Sequence, residues 1–164
     1  MRRSGIFVFL VFLTVVCILV SCKKDVVPEL TTYNVPQATI KGKAFAQLDV
    51  STASPGFEYA PSGAKLILRV SLSDFGIDLG GSNNSYKTYD ATVSATGDYS
   101  FTIDATTAGI NASIYCVQFD YLQYQGKDLA GLSINIRKVY YFNTQVLSVI
   151  AGQTVISDIT YNTK

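Results

Sequence analysis

Apolar and polar residues alternate along most of the chain after residue 37, and this period of two predicts β-strands that bury one face. The first strand is predicted over residues 38–50. On its polar face lie Lys41, Lys43, Gln47 and Asp49. Its buried face is predicted to carry Ala38, Ile40, Gly42, Ala44, Ala46, Leu48 and Val50.

The same alternation predicts further strands, separated by clusters of Gly, Asn and Asp that are typical of turns. Thr96-Gly97-Asp98 lies between two of these strands and predicts that they form a hairpin. The segment 155–161 is predicted to form one closing strand. No segment has a convincing helical period. The further predicted strands cover residues 64–72, 89–93, 99–103, 115–121, 132–136 and 155–161.

These strands predict an all-β fold: a single antiparallel β-sandwich of about seven strands, of transthyretin-like or immunoglobulin-like type. A closed barrel is the alternative. The longest irregular segment runs from Ser73 to Ser85 and is rich in Gly, Ser, Asn and Asp. We expect it to form a loop at one end of the sandwich.

The N-terminus has the three parts of a secretory signal, which are a basic start, an apolar middle and small residues before a cleavage site. Arg2 and Arg3 are followed by an apolar run that ends at Leu19-Val20-Ser21-Cys22. This tetrapeptide resembles the lipobox of bacterial lipoproteins, in which signal peptidase cuts before the cysteine. The alternative is a transmembrane anchor, but such a helix needs about 20 apolar residues, and Lys23-Lys24-Asp25 ends the run.

The resemblance divides the chain into a signal peptide over residues 1–21, an acylated Cys22 with a tether over residues 22–36, and a sandwich domain over residues 37–164. Acyl chains on Cys22 would hold the protein stably on a lipid bilayer. The sorting rule of Gram-negative lipoproteins retains proteins with Asp after the cysteine at the inner membrane. Lys23 therefore predicts the outer membrane, with the final leaflet left open.

Four segments of the predicted domain resemble the carboxypeptidase regulatory-like, transthyretin-like domains of bacterial envelope proteins. The resemblance covers residues 38–162 and implies a β-sandwich that is mostly a noncatalytic accessory or stalk. It implies no catalytic residues. Its segments are Ile40-Lys41-Gly42, Pro61-Ser62-Gly63-Ala64, Thr96-Gly97-Asp98-Tyr99-Ser100-Phe101 and Ala151-Gly152-Gln153-Thr154.

Composition excludes several kinds of chemistry. The chain contains no histidine, which is the commonest general base and metal ligand. The net charge of +1 includes the two arginines of the signal, so the mature chain has no basic stripe for nucleic acid. We therefore expect no enzyme activity and no cofactor. An enzyme that uses paired carboxylates is the third-ranked hypothesis.

For two further candidate sites, a reactive thiol and a calcium site, an ordinary structural role is the favoured interpretation. Cys116 is the single thiol left once Cys22 is acylated, and its place beside Ile114 in an apolar strand favours burial over reactivity. Asp74 and Asp78 are weak candidates for calcium binding. A loop whose polar side chains bond to its own backbone is the favoured interpretation.

Eleven tyrosines raise the hypothesis of an aromatic surface that contacts a ligand. The candidates are Tyr121, Tyr124, Tyr140 and Tyr141. Two functions follow. The first is a noncatalytic binding or scaffolding module for another envelope component, and the alternative is a glycan-binding surface lipoprotein that uses exposed tyrosines.

Overall fold

The structure is a computed structural model that describes residues 35–51, 56–77 and 85–164. Within these ranges the chain is all-β, with mostly antiparallel sheets and a single turn of 3₁₀ helix at Leu72–Phe75. The described strands are β1 (Gln37–Ala46), β2 (Glu58–Tyr59), β3 (Lys65–Ser71), β4 (Tyr86–Thr92), β5 (Asp98–Asp104), β6 (Ile110–Cys116), β7 (Phe119–Lys127), β8 (Ser133–Tyr141), β9 (Gln145–Val149), β10 (Thr154–Ile156), β11 (Ile159–Thr160) and β12 (Asn162–Thr163).

β1 is the centre of the first sheet. It pairs antiparallel with β5 and with the short β2, and in parallel with β10 and β11. The chain passes very close to β1 between β10 and β11: a Cβ atom built on Gly42 would lie 1.8 Å from the carbonyl oxygen of Ser157. Only glycine leaves room for this approach.

The second sheet has the strand order β4-β3-β6-β9, and all of its pairs are antiparallel. The inward-facing residues of β3 alternate with exposed or half-buried ones, as a strand with one buried face requires. Residues from both sheets meet in one apolar core whose larger members include Ile40, Leu66, Leu68, Val70, Phe101, Ile103 and Ile114.

The predicted hairpin across Thr96-Gly97-Asp98 is wrong. β4 pairs with β3, whereas β5 pairs with β1 in the other sheet. The turn itself is closed by hydrogen bonds between the backbones of Ser94 and Asp98 and of Gly97 and Ser94. Alternation shows which face of a strand is buried but not which strand lies beside it, so two strands that contribute to one core were predicted to pair.

The prediction of about seven antiparallel strands also differs from the structure, because the described residues form twelve strands and two of the pairs of β1 are parallel. Several strand boundaries differ as well. β1 ends at Ala46 instead of residue 50, because the chain then pairs with β7: the backbone of Tyr124 bonds to Leu48 and to Val50. The predicted strand 115–121 is divided between β6 and β7. The predicted closing strand over residues 155–161 is divided between β10 and β11, and it bends at Ser157, whose N–H bonds to the Lys41 carbonyl. β12 lies beyond the predicted strand.

Candidate functional site

The residues of the lipoprotein prediction, Leu19, Val20, Ser21 and Cys22, lie outside the described residues, as does Asp78. In the part of the chain that the structure describes, no helix has the length and hydrophobicity needed to span a bilayer.

A third sheet, with the order β12-β8-β7, carries all four tyrosines of the sequence prediction. β7 and β8 form an antiparallel hairpin from the Phe119–Tyr140 pair to the Lys127–Ser133 pair, with a bulge between Tyr124 and Gly126. We call residues 119–141 the β7–β8 hairpin.

The base of the β7–β8 hairpin is attached to the core by aromatic and polar contacts. Phe119 stacks on Tyr140 with ring centroids 5.0 Å apart, and the edge of Tyr161 meets Phe119 at 4.9 Å. The Tyr140 hydroxyl donates a hydrogen bond of 2.7 Å to the carbonyl oxygen of Gln47. The Gln123 amide donates a second bond of 2.7 Å to the same oxygen. These contacts hold the base rigidly.

Beyond its base, the β7–β8 hairpin exposes apolar side chains. Leu129, at the tip, is fully exposed, and Leu132 is 67% exposed. A paired residue shares its face with its partner, so Leu122 lies on one face, and Ile134 and Ile136 lie on the other with Tyr121. Both faces therefore present large apolar groups to solvent, where a folded chain normally places polar ones.

The structure does not bring the four predicted tyrosines together. Tyr140 is fully buried, so it cannot contact a ligand from solvent and leaves the predicted set. Tyr121 is 41% exposed, while Tyr124 and Tyr141 are half-buried on the opposite face. Tyr124 lies opposite Asn135 of β8, and Tyr141 is at the other end of β8. At 3.3 Å per residue the two tyrosines are therefore about 20 Å apart along this strand. No common aromatic platform results.

A shallow depression of about 500 Å³ on the hairpin is lined by Asp120, Tyr121, Leu122 and Arg137. The Arg137 guanidinium donates to the Asp120 carboxylate at 2.6 Å. Leu122 is 60% exposed beside this ion pair. An apolar side chain next to a neutralised ion pair is suited to contact with a protein or lipid surface rather than with a charged ligand.

A larger open cleft of about 610 Å³ lies beside β1 and β5 and includes Lys43, Asp98 and Asp158. The Lys43 ammonium donates to Asp98 Oδ1 at 2.9 Å and to the Thr96 carbonyl at 3.0 Å, and it lies 4.7 Å from the centre of the Tyr59 ring. The hydrogen bond between the Lys43 and Asp98 side chains raises the pKa of Lys43 and lowers the pKa of Asp98. These groups satisfy one another, and both side chains are well exposed, so the pair contributes little to stability.

The other candidate residues from the sequence, Cys116 and Asp74, have structural roles. Burial raises the pKa of the Cys116 thiol to about 12, so the reactive thiolate is scarce at neutral pH. Asp74 accepts a hydrogen bond of 2.7 Å from the backbone N–H of Asn111, which fixes the 3₁₀ turn to β6. The described residues contain no group of three or more acidic or cysteine side chains placed to hold a metal ion.

Sequence reasoning missed the exposed apolar residues of the hairpin, namely Leu122, Leu129, Ile134 and Ile136. One signal for them is present. Tyr121 and Leu122 are consecutive in a strand and must point to opposite faces, which indicates either a strand covered on both sides or an exposed apolar surface.

No protein-family model matches the chain, and comparison with curated proteins also finds no match. The geometry of the β7–β8 hairpin is therefore the observation from which a function is argued. Its rigid base and apolar, two-sided outer part are suited to binding a macromolecule.

Proposed function

We propose that the protein is a noncatalytic lipoprotein of the bacterial outer membrane, whose domain is a transthyretin-like β-sandwich that binds another envelope component. The first two sheets contribute to a single apolar core, which supports the sandwich. The lipobox-like segment that ends at Cys22 supports the anchor. The absence of histidine from the sequence and the raised pKa of the half-buried Cys116 thiol support a noncatalytic role.

The observation that carries the binding role is the exposure of large apolar side chains on a hairpin with an ordered base. Burying an apolar group stabilises a complex by roughly 25 cal/mol per Å² of surface. Leu122 and Leu132 are each more than half exposed, so most of their apolar surface is not buried in the free domain. A protein surface of the envelope that covered them would gain this free energy.

Site-specific photo-crosslinking in the native envelope tests the binding role. A photoreactive amino acid replaces Leu132 in the intact lipoprotein, and a matched variant carries it at Val146, which is 60% exposed in the second sheet. We expect a specific crosslink to a different envelope component from position 132 and none from position 146. Equal crosslinking at both positions, or none at either, would contradict the proposal.

Metabolic labelling with a fatty acid tests the anchor separately. We expect label on the natural chain and on the Cys17→Ser variant, because only Cys22 follows a lipobox-like sequence. The Cys22→Ser variant should carry no label. Label that remains on Cys22→Ser would show that this cysteine is not the acylation site.

A further inference from the structure

β8 has an edge that is open over much of its length. On one side it pairs with β7 along the whole hairpin, and on the other side β12 pairs only with Tyr140 and Tyr141. The N–H of Lys164 extends that contact to the carbonyl of Val139 at 3.2 Å. Among the described residues, no strand covers this edge from Ser133 to Lys138.

Two independent contacts show which backbone groups point to the open edge. The Val139 carbonyl bonds to Lys164 on the side away from β7, so Arg137 and Asn135, two and four residues earlier, point the same way. The partner of Asn135 in β7 is Tyr124, whose own N–H and carbonyl bond to Leu48 and Val50 on the far side of β7. Asn135 therefore exchanges no backbone bonds with Tyr124.

We propose that this open edge pairs with the β8 edge of a second copy of the chain, antiparallel and centred on Ile136. In this register Asn135 of each copy lies opposite Arg137 of the other. Each such pair exchanges two backbone hydrogen bonds, so the four groups that Asn135 and Arg137 direct to solvent are satisfied in both copies. The paired segment is residues 134–138 of each copy, because the next edge position, at Val139, is already occupied by Lys164. Over this segment the two hairpins form one continuous sheet.

The side chains along the edge favour this register and this partner. Lys138 lies opposite Ile134 of the other copy and Arg137 opposite Asn135, so no like charges oppose each other. A register centred on Arg137 would place two guanidinium groups together. The two Ile136 side chains meet at the centre, and Tyr121 and Ile134 of both copies lie on the same face. The apolar side chains that are exposed in one copy thus lie side by side with those of the other copy and form one strip.

The outer edge of β4 offers no comparable surface. It carries charges of both signs, at Lys87 and Asp90, and no exposed aliphatic side chain larger than alanine. Charged side chains on an edge are a common protection against strand pairing. β8 also carries two charged residues, Arg137 and Lys138, but next to them it presents Ile134 and Ile136, which are 41% and 46% exposed. The exposed isoleucines make β8 the edge better suited to association.

This inference rests on the proposed function only in assigning binding to the β7–β8 hairpin. The edge centred on Ile136 would take the second copy, while Leu129 and Leu132 at the tip lie outside the paired segment. Loss of self-pairing with an intact crosslink from position 132 would overturn the inference and leave the proposed function standing. The reverse result would overturn the proposed function alone.

Disulfide crosslinking of the intact lipidated chain in its native envelope tests the register. In the proposed pair the two Cα atoms of residue 136 lie about 4.5 Å apart, within the range that a disulfide spans. Ile136→Cys should give a disulfide-linked homodimer under mild oxidation. Lys138→Cys is the matched control, because its two Cα atoms would lie about 13 Å apart.

A proline variant tests the backbone hydrogen bonds. Asn135→Pro removes an N–H that points to the open edge and leaves the β7–β8 ladder intact. Loss of two bonds per dimer should weaken self-association by about tenfold or more, measured by sedimentation of the intact chain in detergent. Asn135→Ala retains the N–H and should associate as the natural chain does.

Three outcomes would overturn the pairing. They are a natural chain that sediments as a monomer at every concentration tested, equal crosslinking of Ile136→Cys and Lys138→Cys, and an Ile136→Cys variant that links only to a different protein or to none. A folded Asn135→Pro variant that associates as strongly as Asn135→Ala would overturn it as well. Near-ultraviolet circular dichroism of each variant establishes that it is folded.

Discussion

At the scale of single residues, Gly42 is required by a close approach of two backbone segments. A Cβ atom at this position would overlap the Ser157 carbonyl, which also accepts a hydrogen bond of 2.5 Å from the Tyr99 hydroxyl. Burial raises the pKa of Tyr99 to about 12, so this hydroxyl remains a donor at neutral pH. The contact between β1 and Ser157 leaves no space for a side chain at residue 42.

We therefore expect Gly42→Ala to lower the free energy of unfolding by about 1–3 kcal/mol, the usual cost of overpacking. Urea denaturation measures the change. Gly56→Ala is the control, since a Cβ atom there meets nothing within 4 Å, and its effect should stay within about 0.5 kcal/mol. Equal effects of the two substitutions would show that the close approach is not what constrains residue 42.

The second prediction at this scale concerns the thiol of Cys116. Its pKa of about 12 in the folded chain exceeds the unfolded value of 9.0, chiefly because of burial. We expect a disulfide reagent at pH 8 to label the folded mature protein far more slowly than the protein in denaturant. Labelling of the folded protein as fast as of the unfolded protein would contradict the raised pKa of this half-buried thiol.

The same shift has a consequence for stability. The unfolded thiol releases its proton above pH 9, while the folded thiol holds it until about pH 12. The unfolded state therefore becomes relatively more favourable as pH rises through this range. The contribution of Cys116 to stability is complete below pH 9 and is lost above it.

At the scale of elements, the β7–β8 hairpin depends on its base. Tyr140→Phe removes the hydrogen bond to Gln47 but keeps the stack on Phe119. We expect the free energy of unfolding to fall by about 0.5–1.5 kcal/mol, measured by denaturant titration. Tyr121→Phe alters an exposed hydroxyl and should change stability by less than about 0.5 kcal/mol. If Tyr140→Phe left the free energy of unfolding unchanged, the hydrogen bond from Gln123 to the Gln47 carbonyl would be enough to hold the base of the hairpin.

The sequence predicted individual strands better than it predicted their neighbours. In β1 and β3 the alternating residues are buried as predicted, because each strand has one covered face. The partners of β4 and β5 were predicted wrongly, since alternation contains no information on which strand lies alongside. Pairing depends on contacts between residues far apart in the chain.

The hairpin shows a second limit of the same signal. Leu132, Ile134 and Ile136 repeat with a period of two, as residues over a core do, yet all three are exposed. The core ends at Tyr140, so the outer part of β8 keeps the pattern of a half-buried strand without a covering layer. Periodicity therefore identified the strand and its apolar face, but not that this face meets solvent.

At the scale of the whole molecule, different parts of the chain have different roles. The first two sheets supply a stable core, Cys22 is proposed to hold the chain on the membrane, and the β7–β8 hairpin is proposed to bind. The central proposal is that the outer part of the β7–β8 hairpin, including the open edge of β8, is covered in the native envelope. This claim is independent of the identity of the component that covers it.

Hydrogen exchange of the intact lipoprotein tests this claim most directly, with residue-level mass spectrometry of Asn135 and Arg137. The two amides point to the open edge and should exchange rapidly in detergent at protein concentrations at which the chain is monomeric, whereas the amide of Ile136, which bonds toward β7, should be protected there. In the native envelope the account predicts strong protection of both edge amides. Rapid exchange of Asn135 and Arg137 in the envelope would contradict it.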